Sequence, residues 1–146
     1  MLKTLFASAV LALAVTPALA VEHVIVMKTK AAGGKLNAFE PDYVRANVGD
    51  TIRIDVGDMG HNAEVMTGVW PAGVPTFKGQ INKPVTFTVT ADGLYGIKCL
   101  PHHGAGMVAL VEVGNATVTD AQRKIRQPGP IATKRWGELL DLAAAN

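Results

Sequence analysis

The chain has 146 residues, 49% of them hydrophobic, with 14 Lys and Arg against 12 Asp and Glu and a formal net charge of +2. That near balance, without a long basic run, excludes a polyanion binder held by bulk charge. A single cysteine excludes an intrachain disulfide framework.

The first twenty residues read as an export signal. Lys3 supplies a short positive region, Leu5 to Val15 an apolar core, and Ala18-Leu19-Ala20 the small-x-small cleavage pattern. The apolar run is too short to span a membrane, and no later run of about 18 apolar residues replaces it. Residues 1–20 are therefore expected to be a signal peptide and residues 21–146 a single domain. Setting Lys3 aside lowers the net charge from +2 to +1. An exported chain with one unpaired thiol needs something to hold it, and a metal would keep it as a thiolate.

Between residues 21 and 115 short apolar runs alternate with Gly, Pro, Asn and Asp. His23-Val24-Ile25-Val26-Met27 reads as a first strand, and Lys30 to Leu36, with Gly33-Gly34, as a loop. Tyr43 to Val48 partly alternates, and Gly49-Asp50 turns it. Thr51-Ile52-Arg53-Ile54-Asp55-Val56 alternates cleanly, so Ile52, Ile54 and Val56 should share one face. Gly57-Asp58-Met59-Gly60 ends that strand and delivers His61 just past it. Pro71 to Pro75 is a loop. Val85 to Val89 and Leu94 to Cys99 are further strands, and Met107 to Val113 closes the set. Many short strands with turns between them predict a two-sheet sandwich or a barrel. Residues 116–146 change period. Thr119 can cap a helix whose face holds Ala121 and Ile125, with Val118 alongside, and Pro128-Gly129-Pro130 stops it. Trp136, Leu139, Leu140 and Ala143 then recur at helical spacing, so the tail is expected to be two amphipathic helices packed on the sandwich.

The chemistry concentrates in Lys98-Cys99-Leu100-Pro101-His102-His103-Gly104-Ala105-Gly106-Met107, which holds the only cysteine, two of the four histidines and a methionine. A thiolate, an imidazole and a thioether on one loop suit a soft or borderline metal, copper above all. Thiolate and thioether favour Cu(I) and imidazole suits both oxidation states, so the set fits one-electron traffic. Cys99 and Met107, each at a strand end, would clamp the loop, and His61 would come from a separate turn. A lone cysteine is ordinarily a small buried hydrophobe and a methionine ordinarily core; the spacing of Cys99, His102 and Met107 outweighs those readings. His61 carries a weaker local signal. His103, adjacent to His102, is expected to face solvent, and His23 to be a surface residue. Zinc accepts cysteine and histidine, but a thioether ligand is unusual for it.

The pattern Cys99-Leu-Pro-His102-His-Gly-Ala-Gly-Met107 resembles the type I copper loop of plastocyanins and pseudoazurins; azurins and amicyanins space these ligands differently. Phe39-Glu40-Pro41, Ala46 to Thr51, Gly60 to Glu64, Phe77-Lys78, Ile81-Asn82 and the helical tail resemble the pseudoazurin family. That resemblance implies a mainly β, cupredoxin Greek-key sandwich of about eight strands with two C-terminal α-helices. It implies a periplasmic electron carrier holding one copper ion and delivering electrons to a redox partner, typically a copper nitrite reductase in denitrification; a carrier this small is expected to be a monomer. Carried over by position, the copper ligands are His61, Cys99, His102 and Met107. Asn62 would hydrogen-bond toward the Cys99 sulfur and tie the two ligand loops together, with Pro101 beside it. His102 would be the electron's exit through a patch including Gly60, Pro101, Gly104 and Ala105, and Lys78 and Lys98 match partner-docking positions. Met59 stands where a lysine is usual in this family, His103 where a tyrosine is, and Ala105 where a methionine is. The rival readings are a periplasmic copper chaperone or storage protein, against which Met27, Met59 and Met66 are scattered rather than clustered, and an enzyme using Cys99 as a nucleophile.

Overall fold

A computed structural model of the protein describes residues 19–145; most of the expected signal peptide, residues 1–18, lies outside them. Eight strands form two four-stranded sheets, followed by two helices. The strands are β1 (Glu22–Lys30), β2 (Leu36–Glu40), β3 (Tyr43–Ala46), β4 (Thr51–Val56), β5 (Glu64–Val65), β6 (Val85–Thr88), β7 (Gly93–Lys98) and β8 (Val108–Val113); the helices are α1 (Asp120–Arg123) and α2 (Pro130–Ala144). One sheet runs β2-β1-β4-β6 and the other β3-β8-β7-β5, so the chain crosses repeatedly between sheets in the Greek-key manner expected.

The alternation read from the sequence decides which face is buried. In β4, Ile52 and Ile54 have no exposed surface, and they meet Ile25 and Met27 of β1, Phe39 of β2, and Tyr95 and Ile97 of β7 between the sheets. β8 is buried at every position. Ala109, Val111 and Val113 face the inter-sheet core, whereas Val108 and Leu110 face outward under Trp136, Leu139, Leu140 and Ala143 of α2. A strand covered on both sides reads as a continuous apolar run, as this one does. The outward Glu112 in that run is buried too, and holds Tyr43 Oη and Arg45 on the neighbouring β3.

Three local expectations are corrected, and one strand is added. β2 begins at Leu36, where a loop is expected; the loop signals are real, since Asn37 sits at φ +45°, but the segment pairs with β1 from Lys30↔Leu36 to Val26↔Glu40. β5 is two residues long and carries no alternation to read. α1 is a single turn: Thr119 caps it, with Gln122 closing a capping box, but Ile125 lies beyond it and packs as irregular chain against the tail cluster. His23 is half-buried rather than a surface residue, with Nε2 2.9 Å from Asp50 Oδ2.

Candidate metal centre

β7 and β8 are antiparallel neighbours, and Cys99 and Met107 lie just past the end of one and just before the start of the other. Cys99 N donates to Met107 O at 3.0 Å, which closes residues 99–107 into one loop. Met107 N donates to His102 O at 3.1 Å and Gly106 N to His103 O at 2.8 Å, so the loop is itself a hydrogen-bonded turn. Gly106 stands at φ +85°, where a side chain is strained, and an added Cβ would fall 2.7 Å from Arg135 Cδ. Cys99 and Met107 are fully buried in the inter-sheet core, whereas His102 is half-exposed and Pro101 and Gly104 are open to solvent.

His61 arrives from the turn after β4 and is 1% exposed. Gly60 bends that turn at φ +93°. Asn82 holds it from the far side: its Oδ1 accepts from Gly60 N at 2.6 Å and its N donates to His61 O at 2.8 Å. The imidazole orientation is fixed at its other edge, where Nε2 lies 3.1 Å from Thr29 Oγ1 at the end of β1. Thr29 is in turn attached to the same turn, its N donating to Asp58 Oδ2 at 2.7 Å. Nδ1 of His61 thereby points inward.

Three donor atoms converge. His61 Nδ1 and His102 Nδ1 are 3.1 Å apart, and Cys99 Sγ is 3.9 Å from the first and 3.7 Å from the second. A point equidistant from atoms so spaced lies about 2.1 Å from each, against about 2.0–2.1 Å for an imidazole–metal bond and about 2.3 Å for a thiolate–metal bond. Two nitrogens and one sulfur are also the donor set that suits copper. Burial pushes the Cys99 thiol upward, with the backbone N–H groups of Asn62 and His102 opposing it. Burial, with the nearby His102, pushes His61 downward. Without an ion, low polarity thus favours a neutral thiol and a neutral imidazole, and an ion is what would favour the thiolate.

Asn62, 3% exposed, joins the two ligand-bearing segments. Its Oδ1 accepts from Leu100 N at 2.8 Å, and its Nδ2 donates to Glu64 Oε1 at 3.0 Å and to Gly79 O at 2.9 Å. The group acting on the Cys99 sulfur is its backbone N–H, not its side chain. His103 is not free in solvent but half-buried, with Nε2 2.8 Å from Oε1 of the buried Gln127. Arg135 of α2 donates to Gly106 O, Asn37 O and Leu36 O at 3.0–3.1 Å, so the tail braces the loop as well as covering β8. Thr29 and Arg135 do not stand out in the sequence, and Asn82 does so only within the resembling Ile81-Asn82 pair; their contacts at the site span 22 to 99 residues of chain and are not legible locally.

Around the half-exposed His102 edge the chain presents Met59, Leu100 and Ile81, 70%, 51% and 47% exposed, with Gly60, Pro101 and Gly104 among them. Ala105 is half-buried. Lys98 and Lys78 both pair through the backbone with Glu64, so they stand on either side of β5. Among the described residues no helix is long and apolar enough to cross a membrane.

Residues 25–114 match the family of copper binding proteins of the plastocyanin/azurin type. The chain is 46% identical over 137 residues to pseudoazurin of Paracoccus pantotrophus, covering 93% of each chain. It is 35% identical to pseudoazurin of Methylorubrum extorquens, covering 94% of this chain and 95% of the relative. The crystal structure of native pseudoazurin from Hyphomicrobium denitrificans superposes with a TM-score of 0.78 at 38% identity, over 83% of this chain and 97% of that one. A sandwich with two imidazole nitrogens and a thiol converging on one point, in a chain this similar, belongs to the pseudoazurin family of cupredoxins: copper-binding electron carriers rather than enzymes.

Proposed function

We propose that the protein is an exported, periplasmic one-electron carrier whose type I copper would be held by His61, Cys99, His102 and Met107. The observation that carries the reading is the triangle of donor atoms, whose common centre lies at bonding distance from all three. When bound, copper supplies the Cu(I)/Cu(II) couple. The residues supply the rest. Thr29 and the Asn82-held turn orient His61, and Asn62 fixes the turn to the Cys99 loop. The packed inter-sheet core excludes water from Cys99 and Met107. His102 is the ligand nearest the surface and the electron's exit, through the apolar patch that includes Gly60, Pro101 and Ala105.

Residues 1–20 are the signal peptide and residues 21–146 the mature, monomeric domain. The acceptor is a copper nitrite reductase of a denitrifying electron-transfer chain, met by the apolar patch with Lys78 and Lys98 beside it. Met59, in place of a lysine, makes this surface less basic, so docking should depend less on salt than a lysine-rimmed surface would. The test is a visible spectrum of the mature protein after Cu(II) addition, repeated after ascorbate. Intense thiolate-to-copper bands that bleach on reduction are expected, and Cys99→Ser should abolish them. A colourless protein that still binds copper would overturn the ligand assignment. Stopped-flow oxidation of the reduced protein by a purified nitrite reductase tests the acceptor separately.

A further inference from the structure

Asp50 is 3% exposed and its carboxylate takes three donors. Val21 N donates to Oδ1 at 2.9 Å, and Asn47 N and His23 Nε2 lie 2.9 Å from Oδ2. These contacts hold its pKa at about 2, the Asn47 amide contributing most, then the Val21 amide, then His23. Among the described residues, the charged side chain acting on Asp50 is that histidine, whose charge is not permanent. A carboxylate shielded from water and faced by two amides and an imidazole is short of positive charge. Val21 N is also the atom that cleavage after Ala20 would release. The carbonyl of the same residue is held, Thr51 N donating to Val21 O at 2.9 Å, so the nitrogen stays aimed at Asp50.

We propose that Asp50 is the receptor for the α-ammonium group created at Val21 by removal of the leader, so that maturation turns an amide hydrogen bond into an ion pair that fastens β1 to β4. The inference rests on the leader reading above. Hydrolysis by the signal peptidase adds one water across the Ala20–Val21 bond; Ala20 departs with the carboxylate, and the Val21 nitrogen takes up protons to become an ammonium. One N–H donor becomes three, with a full charge, at an atom already in place. β1 and β4 run parallel from Glu22↔Thr51 to Met27↔Val56, so the new charge sits where that pairing begins. Eight residues of extended strand, about 26 Å, separate Val21 from Thr29 at the metal centre, so the two ends can be tested apart. The other titratable groups at this end are His23 on Asp50, and Glu22 and Arg53, which pair with each other at 3.1 Å on the exposed side of β1 and β4.

The experiment compares three copper-loaded proteins: one starting at Val21, one retaining Ala18-Leu19-Ala20 before it, and one acetylated at Val21. In the first, the α-amino group, titrated by NMR or by acylation rate, should lie at least about one unit above the usual 7.7–8.0. Asp50→Asn should return it to that range. The Val21-start protein should melt several degrees above the other two at pH 7. Because the folded-state pKa of the amine is raised, this advantage is full below about pH 8 and fades as pH rises through the raised value. An ordinary amine pKa, or equal melting of all three forms, would overturn the proposal. Should Asp50→Asn fail to fold, the titration in the unaltered protein decides alone. N-terminal sequencing of the exported protein tests the leader reading independently: a start other than Val21 refutes that reading, while the assembled Val21-start protein still reports on Asp50.

Discussion

Replacing Asn62 by leucine keeps its approximate shape and removes a hub. Three partners lose their bonds at once: Leu100 N, Gly79 O and Glu64 Oε1. The Asn62–Glu64 bond is buried, whereas Leu100 is exposed and Gly79 half-buried, so water can relieve the two backbone groups more readily than the carboxylate. A buried group left unsatisfied costs about 1–3 kcal/mol, and with partial relief at Leu100 and Gly79 the sum is about 3 kcal/mol. For a domain of this size that corresponds to a fall in Tm of about 10 °C, read by thermal unfolding of the copper-free protein. The same amide fixes the Cys99 loop to the His61 turn, so copper extraction by a chelator should also accelerate, by about 10–100-fold on the usual scale for groups supporting a ligand. A Tm within about 3 °C of the parent, with unchanged extraction, would refute the account of Asn62 as the bridge between ligand segments.

Met107→Leu should keep the intense colour and raise the reduction potential, measured by voltammetry; losing a donor worth tenfold to Cu(II) corresponds to about 59 mV. Thr29→Val removes the partner of His61 Nε2; because His61 is 1% exposed, the copper-free protein should lose about 1–3 kcal/mol of stability in thermal unfolding, and copper binding should weaken by about tenfold in competition titrations. The Asp50 carboxyl, held at about 2 in the folded chain, contributes stability present above its unfolded pKa near 4 and lost as pH falls through 2. Lying close to the surface, it should contribute about 1–2 kcal/mol, seen as acid destabilisation between pH 4 and 2 that is reduced in Asp50→Asn.

Periodicity carried the sandwich because its core strands bury one face each. The alternation of β4 gives the burial of Ile52 and Ile54 directly, and the apolar run of β8 reflects cover on both sides. β2 and β5 escaped for the opposite reason: one carries an asparagine at φ +45° as its second residue, the other has two residues, and each is a strand only because a neighbour pairs with it. At the metal centre the residues close in sequence, Cys99, His102 and Met107, announced themselves by donor type and spacing. His61 depended on resemblance, Asn82 showed only as part of the resembling Ile81-Asn82 pair with no sign of its contact, and Thr29 and Arg135 had no local signal at all. His103 shows the limit from the other side: the expectation that adjacent loop histidines diverge gives its direction away from His102 but not the Gln127 that receives it.

These supporting contacts decide how the centre can behave. Two imidazole nitrogens 3.1 Å apart and a sulfur within 4 Å of both are brought together by contacts that do not involve an ion: Thr29 behind His61, Asn82 on its turn, the Cys99–Met107 backbone pair, and Arg135 under Gly106. Each anchor belongs to a different strand, turn or helix, so moving one ligand requires displacing a packed element rather than turning a side chain. A frame of this kind resists the shift in preferred geometry between Cu(II) and Cu(I), which keeps the rearrangement accompanying each electron small. The frame also accounts for the protonation states. Burial raises the Cys99 thiol and lowers His61, which favours the neutral form of both without an ion, and copper uptake must expel the thiol proton. Copper affinity should therefore rise with pH until the thiol would ionise unaided, whereas the positions of the ligand side chains should differ little between the copper-free and copper-loaded protein.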